Sequence, residues 1–260
     1  MKYHRALNWK VFTFILLFIF FGTFLSFGQV TRVELIKSKV SSEDYETLEK
    51  VWKPIHQARL NQRQIYGWYL IKKLFTGTED PYDYIIVTIY PSLEALQYPL
   101  PEQIIAGYKD EFFEKTTASR DIIRTEIYDT PIVTEVFNLP RFLQVSFEKV
   151  AEEKEEKYLN IEEEIWKPAN ESLIKNKHQA TFSVYRQLYP GGYSNDYNYV
   201  TLRGFSDLQK VLQEPPQGWK ELLTSVHPDK DPVKILSNTA ALRQQVKLEL
   251  WEILLSVVPQ

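Results

Sequence analysis

Apolar and polar residues follow two rhythms along this chain. In short runs they change sides at every position, the period of a strand; in longer stretches the apolar residues recur every three or four, the period of an amphipathic helix. Over 31–40, Val33 and Leu35 lie on one side with Arg32 and Glu34 on the other. Ser41, Ser42, Glu43 and Asp44 then read as a helix start, a hydroxyl cap with acidic residues where the helix dipole favours them. Tyr45, Leu48, Val51, Trp52, Ile55 and Ala58 continue as the apolar stripe. Strands are predicted over 65–75 and 83–90, around a loop marked by Gly77 and Pro81. A short helix after Ser92, a second over 102–117 and a strand over 120–129 complete the order strand, helix, strand, strand, helix, strand. That order is ferredoxin-like.

The order then recurs. Glu49-Lys50-Val51-Trp52-Lys53-Pro54 returns as Glu163-Glu164-Ile165-Trp166-Lys167-Pro168, 114 residues later. Phe182, Val184 and Leu188 fall at the same offset from Trp68, Leu70 and Leu74, and Arg243 follows Arg120 by 123 residues. Strands are predicted over 142–150, 179–189, 197–205 and 243–252, with a helix starting at 151 whose buried stripe runs to Ser172 and helices over 219–226 and 232–241. Pro54 and Pro168 each lack an N–H and crowd the carbonyl four residues back, which predicts a kink or restart at both sites. The strands over 65–75 and 83–90 are apolar on both faces, so their sheet is expected to be covered on both sides. The predicted fold is α+β: two ferredoxin-like βαββαβ repeats, residues 29–139 and 140–260, whose antiparallel sheets pack together as an intramolecular α/β barrel.

The first 28 residues stand apart. Lys2, Arg5 and Lys10 precede an apolar run over 11–27, with small residues at Ser26 and Gly28. This describes a secretory signal cleaved before Gln29, or a membrane anchor if it is retained. The protein is therefore expected to be exported, periplasmic or extracellular, touching a membrane only through residues 11–27 if they are uncleaved. Cleavage would move the net charge from −3 to −6 by removing three basic residues. An acidic chain argues against nucleic acid as the main partner. The chain has no Cys, which excludes disulfides, thiolate catalysis and iron–sulfur clusters.

With its duplicated element order and doubly apolar sheets, the sequence resembles the dimeric α/β-barrel superfamily, the group that includes antibiotic-biosynthesis-type monooxygenases, and in particular its fused tandem members. The resemblance covers nearly all of residues 30–258. It implies a ligand pocket between helix and sheet within one half. Members include cofactor-independent oxygenases, haem-degrading enzymes, haem peroxidases, chlorite dismutases and proteins of no known activity, and no catalytic motif of any of them matches here residue by residue.

Candidate chemistry comes from positions where the halves differ or where charge meets a strand. His56 corresponds to Asn170; a His beside a helix kink is a candidate general base or haem ligand, or else a partly exposed or backbone-bonded residue. Glu126 and Glu249 share strand faces with Arg124 and Lys247, which suits either an acid–base carboxylate pair or ion pairs closing the interface. Tyr66, Trp68, Tyr69 and Tyr84, with His56 and Asn170, are candidates to line a site for a small flat apolar ligand, or are core. His178 and His227 are expected at the surface. No His spacing suits a metal and His-Glu-x-x-His is absent, so no metal is expected; haem is the one cofactor the resemblance would bring. The function read from these features is an exported binder of a small hydrophobic or aromatic ligand. The alternatives are a cofactor-independent or haem-using oxidoreductase and a structural module of the cell envelope, with homo-oligomerisation open.

Overall fold

The computed structural model describes residues 28–135, 139–192, 195–213 and 215–259. The proposed signal or anchor over 1–27 lies outside them. The strands are β1 (Val30–Ser38), β2 (Gly67–Lys73), β3 (Tyr84–Tyr90), β4 (Arg120–Val133), β5 (Phe142–Val150), β6 (Thr181–Tyr189), β7 (Tyr199–Phe205) and β8 (Arg243–Val257). Helices are α1 (Ser42–Asn61), α2 (Glu102–Ile105), α3 (Asp110–Ala118), α4 (Glu155–Ile161), α5 (Lys167–Lys175), α6 (Leu208–Val211), α7 (Trp219–Val226) and α8 (Pro232–Leu242). Among the described residues no helix is long and apolar enough to cross a membrane.

The strands form one closed barrel in the order β1-β3-β2-β8-β5-β7-β6-β4, with every neighbouring pair antiparallel. This corrects the expected architecture. The chain is not two ferredoxin-like repeats laid sheet against sheet but a single eight-stranded antiparallel barrel. The physical reason lies in β4 and β8, which are 14 and 15 residues long. Arg120 to Tyr128 pairs with β1, and β4 then runs on so that Ile127 to Val133 pairs with β6. Likewise β8 pairs with β5 over Arg243–Glu252 and with β2 over Trp251–Val257. Each overrun supplies the hydrogen bonds that an open sheet edge would leave unmet.

Both faces of the barrel wall are apolar, as predicted. Outward, Trp68, Leu70, Tyr84 and Tyr90 pack with Tyr45 of α1; inward, Leu35, Ile71, Ile85, Val145, Phe147 and Trp251 fill much of the lumen. On the far side Phe182, Val184 and Tyr199 pack beneath Tyr158 and Ile174.

The two Trp-Lys-Pro sites differ. Helix α1 begins where expected, with Ser41 Oγ accepting from the Asp44 N–H at 3.2 Å, and continues through Pro54 without a break. At the second site a π-helical turn, Glu162–Trp166, separates α4 from α5, and the Lys167 N–H bonds to the Glu162 carbonyl five residues back. The surplus residue can be located. Glu49 and Glu162 are each 1% exposed and each meets the arginine that opens the half's last strand, Arg120 at 2.5 Å and Arg243 at 3.1 Å. Three steps separate Glu49 from Trp52 and four separate Glu162 from Trp166. One inserted residue inside a helix is accommodated as a π turn, a feature frequent at functional sites.

Candidate functional site

In the first half the space between helix and sheet is filled. The His56 ring stacks on Trp68 with centroids 4.4 Å apart and lies 5.9 Å from Trp52. Arg59 Nη1 is 3.3 Å from His56 Nδ1, and Arg59 Nη2 donates to the Tyr90 hydroxyl at 3.3 Å. Burial, with the charges of Arg59, Arg32 and Arg120, pushes the His56 imidazole down to about 3. His56 is thus a neutral stacked ring, poorly suited to accept a proton near neutral pH.

In the second half Asn170 stands in place of His56 and Phe182 in place of Trp68. Thr88, opposite Trp68 in the register, is matched by Arg203 opposite Phe182. The smaller Asn170 and Phe182, with the π turn, leave a cavity of about 400 Å³ between the helices and the outer barrel face. Glu162, Trp166 and Asn170 wall it from the helices above, Trp219 and Thr239 from α7 and α8, and Glu148, Thr201, Arg203 and Arg243 from the strands. Its size falls in the range of small-molecule sites, roughly 300–1,000 Å³.

Its charges are organised around Arg243, which lies 3.1 Å from Glu162 and 3.4 Å from Glu148. Ser146 donates to Glu148 Oε1 at 2.6 Å, while Glu148 Oε2 has no hydrogen-bond partner. Asn170 donates to the Trp166 carbonyl at 2.7 Å, and among the described residues its Oδ1, like Glu148 Oε2, has no partner. Burial raises the Glu162 carboxyl to about 7; Arg243 opposes the shift and Glu148 adds to it. Burial, with the charge of Arg243, lowers the Arg203 guanidinium to about 10. A carboxyl that titrates near neutral pH on a cavity wall can take a proton from a ligand and return it.

The remaining candidates are dispersed. Trp68 and Tyr84 lie under α1, Tyr69 faces the lumen, and Tyr66 is exposed, so the predicted aromatic site in the first half does not assemble. Asn170 alone of the predicted ligand-binding set lines the helix–sheet cavity. Glu126 accepts from the Tyr128 and Tyr197 hydroxyls at 2.6 and 2.7 Å and pairs with Arg124 at 2.9 Å. Glu249 accepts from the Tyr82 hydroxyl at 2.6 Å and Trp251 Nε1 at 2.8 Å and pairs with Lys247 at 3.1 Å. Burial would raise the Glu249 carboxyl, but Tyr82, Lys247, Trp251 and Lys73 together hold it below its ordinary value. Burial and the nearby carboxylates push the Tyr82, Tyr128 and Tyr197 phenols up. Glu249 is therefore an ionised carboxylate among neutral phenols, an arrangement that holds charge rather than exchanging protons.

His227, expected at the surface, is buried and donates from Nε2 to the Ile165 carbonyl of the π turn at 3.0 Å. Glu162 and Arg203 escaped the sequence reading. The signals were present: Tyr158 precedes Glu162 by the four residues that separate Tyr45 from Glu49, and Arg203 interrupts an apolar strand. Among the described residues no cluster of His, Cys, Asp and Glu could hold a metal. Haem does not fit this cavity, because it needs an axial nitrogen, sulfur or phenolate ligand, and no His, Cys, Met or Tyr lines it.

A closed antiparallel barrel with helices outside and a cavity under one helical layer defines an α/β-barrel fold. Many solved structures share it, among them the following three. A candidate monooxygenase from Lactobacillus acidophilus superposes with a TM-score of 0.57 at 9% identity, over 89% of this chain and 96% of that one. A candidate monooxygenase from Fusobacterium nucleatum gives 0.53 at 11% identity, over 88% and 92%. An anthrone oxidase-like protein gives 0.51 at 12% identity, over 88% and 92%. At such identities the likeness concerns the fold. No family model matches the chain, and no curated protein does.

Proposed function

We propose that this protein is a cofactor-independent oxidoreductase that oxidises a small aromatic compound in the cavity of its second half, with Glu162 as the general base. The observation that carries the reading is the buried Glu162 carboxyl, raised to about 7 and set against Arg243 on the wall of that cavity. The kind of substrate follows what a base alone can activate: an aromatic compound with an acidic methylene, of the anthrone kind that one fold neighbour's description mentions. Glu162 takes a proton from the methylene, and the carbanion adds to dioxygen, the oxidant, to form a carbon–oxygen bond. Glu162 returns the proton to the peroxide. Loss of the second hydrogen with cleavage of the oxygen–oxygen bond then yields the ketone and one water, so that CH₂ and O₂ become C=O and H₂O.

The test is oxygen uptake with anthrone as the probe. Glu162→Gln should lower the rate by about 10²–10⁴-fold, the usual contribution of a general base, while Trp166 and Trp219 fluorescence still reports binding. A rate in Glu162→Gln equal to that of the native protein would remove the base assignment. A second reading, ligand binding without turnover, is favoured by Trp166 and Trp219 flanking the cavity with ring centroids 5.5 Å apart; saturable binding with no oxygen uptake selects it. We further propose that residues 1–28 direct export, which the mass of the mature chain from its own host would test.

A further inference from the structure

We infer that the ligand of this cavity is a hydroxylated aromatic carboxylate, with Arg203 seating the carboxylate. The inference rests on the site of the proposed function but not on its redox chemistry. Four ionic side chains line the cavity, and three of them are engaged with one another: Arg243 meets both Glu148 and Glu162. Arg203 differs from them. Among the described residues it has no ion pair or hydrogen bond, and its contact is the Trp219 ring, 5.2 Å from the guanidinium carbon. A guanidinium over an indole keeps its in-plane N–H groups free, and that fork matches a carboxylate with two parallel hydrogen bonds.

The uncharged complement points the same way. Glu148 Oε2 and Asn170 Oδ1 are acceptors on residues 0% and 2% exposed, and neither has a donor. Leaving such atoms unmet is costly, and a ligand hydroxyl brought against either would satisfy it. The spacing suits one molecule doing both. Arg203 is opposite Gln144 and Tyr199 is opposite Glu148, so the backbone positions that carry the two ends are four residues apart along β5, on the order of 13 Å at strand rise. Two fused rings with a group at each end span that length.

The experiment uses the full chain without oxygen and two probes, a hydroxynaphthoate with its groups at opposite ends and its methyl ester. Binding is read by tryptophan quenching. The acid should bind the native protein at least about tenfold tighter than the ester, and Arg203→Gln should abolish that preference while changing ester affinity less than about twofold. Retained ester binding shows that the variant is folded, and Arg203→Lys should restore part of the preference. Equal binding of acid and ester by the native protein, an undiminished preference in Arg203→Gln, or no saturable binding of either overturns the inference. Because no turnover is measured, a preference that depends on Arg203 stands even if oxygen uptake is absent. Oxygen uptake that depends on Glu162, without such a preference, sinks only the carboxylate seat.

Discussion

Glu162→Gln isolates the titration of one buried group. Glu162 is 1% exposed, and its carboxyl rises from an ordinary 4.5 to about 7 in the folded protein. Between those values the native state binds a proton that the unfolded chain has released. Stability contributed by this group is therefore full below the unfolded value, falls as pH rises through the window, and levels off above the folded value. At about 1.36 kcal/mol per pH unit, and allowing for partial titration at both ends, moving from about pH 5 to about pH 8 should lower the native protein's stability relative to Glu162→Gln by about 2.5 kcal/mol. Groups remote from the cavity cancel in the difference, so the slope belongs to Glu162 and the groups coupled to it, Glu148 and Arg243. The assay is urea unfolding of both proteins at several pH values, compared through midpoints and slopes. A difference that stays constant with pH would show that Glu162 titrates like a solvated carboxylate, and the base assignment would lose its physical ground.

His56→Ala should destabilise the first half by about 2–4 kcal/mol, because it removes a buried ring between two tryptophans, and should leave ligand binding in the second half unchanged; calorimetry and probe titration check both. Glu249→Gln should cost about 3–5 kcal/mol near neutral pH by breaking a buried ion pair. Because the Glu249 carboxyl is held below its ordinary value, that cost should shrink as pH falls through the folded value, which acid titration of both proteins would show. Removing residues 253–260 strips β8 of most of its pairing with β2 and should yield self-associating protein through the freed edge. A monodisperse monomer by light scattering would contradict the role given to that seam.

Much of the local structure was legible in the sequence. Alternation, apolar runs and turn residues placed all eight strands, Ser41 with Glu43 and Asp44 placed the start of α1, and side chains apolar on both faces of 65–75 and 83–90 required cover on both sides. The predicted ends of the last strand in each half, near 129 and 252, stopped where pairing within the half stops. The few residues beyond them close the barrel, and their partners on β6 and β2 are remote in sequence. Periodicity reports which side a residue faces; it does not report which distant strand it meets.

The site was harder to read for a related reason. Glu162, Glu163 and Glu164 look alike in sequence, a run of charge at home on a solvated face, yet Glu162 is buried while Glu163 and Glu164 are exposed. Which carboxyl loses its water depends on the π turn and on Arg243 waiting beneath it. The sequence by itself determined the strands, the helices and the need for two buried sheet faces, because these follow from spacing along one chain. Only the tertiary structure decided that the sheet closes on itself, and that Asn170, Phe182 and the extra residue before Trp166 together leave a cavity where His56 and Trp68 leave none. Volume is a property of neighbours in space, and a buried charge takes its pKa from the same neighbours.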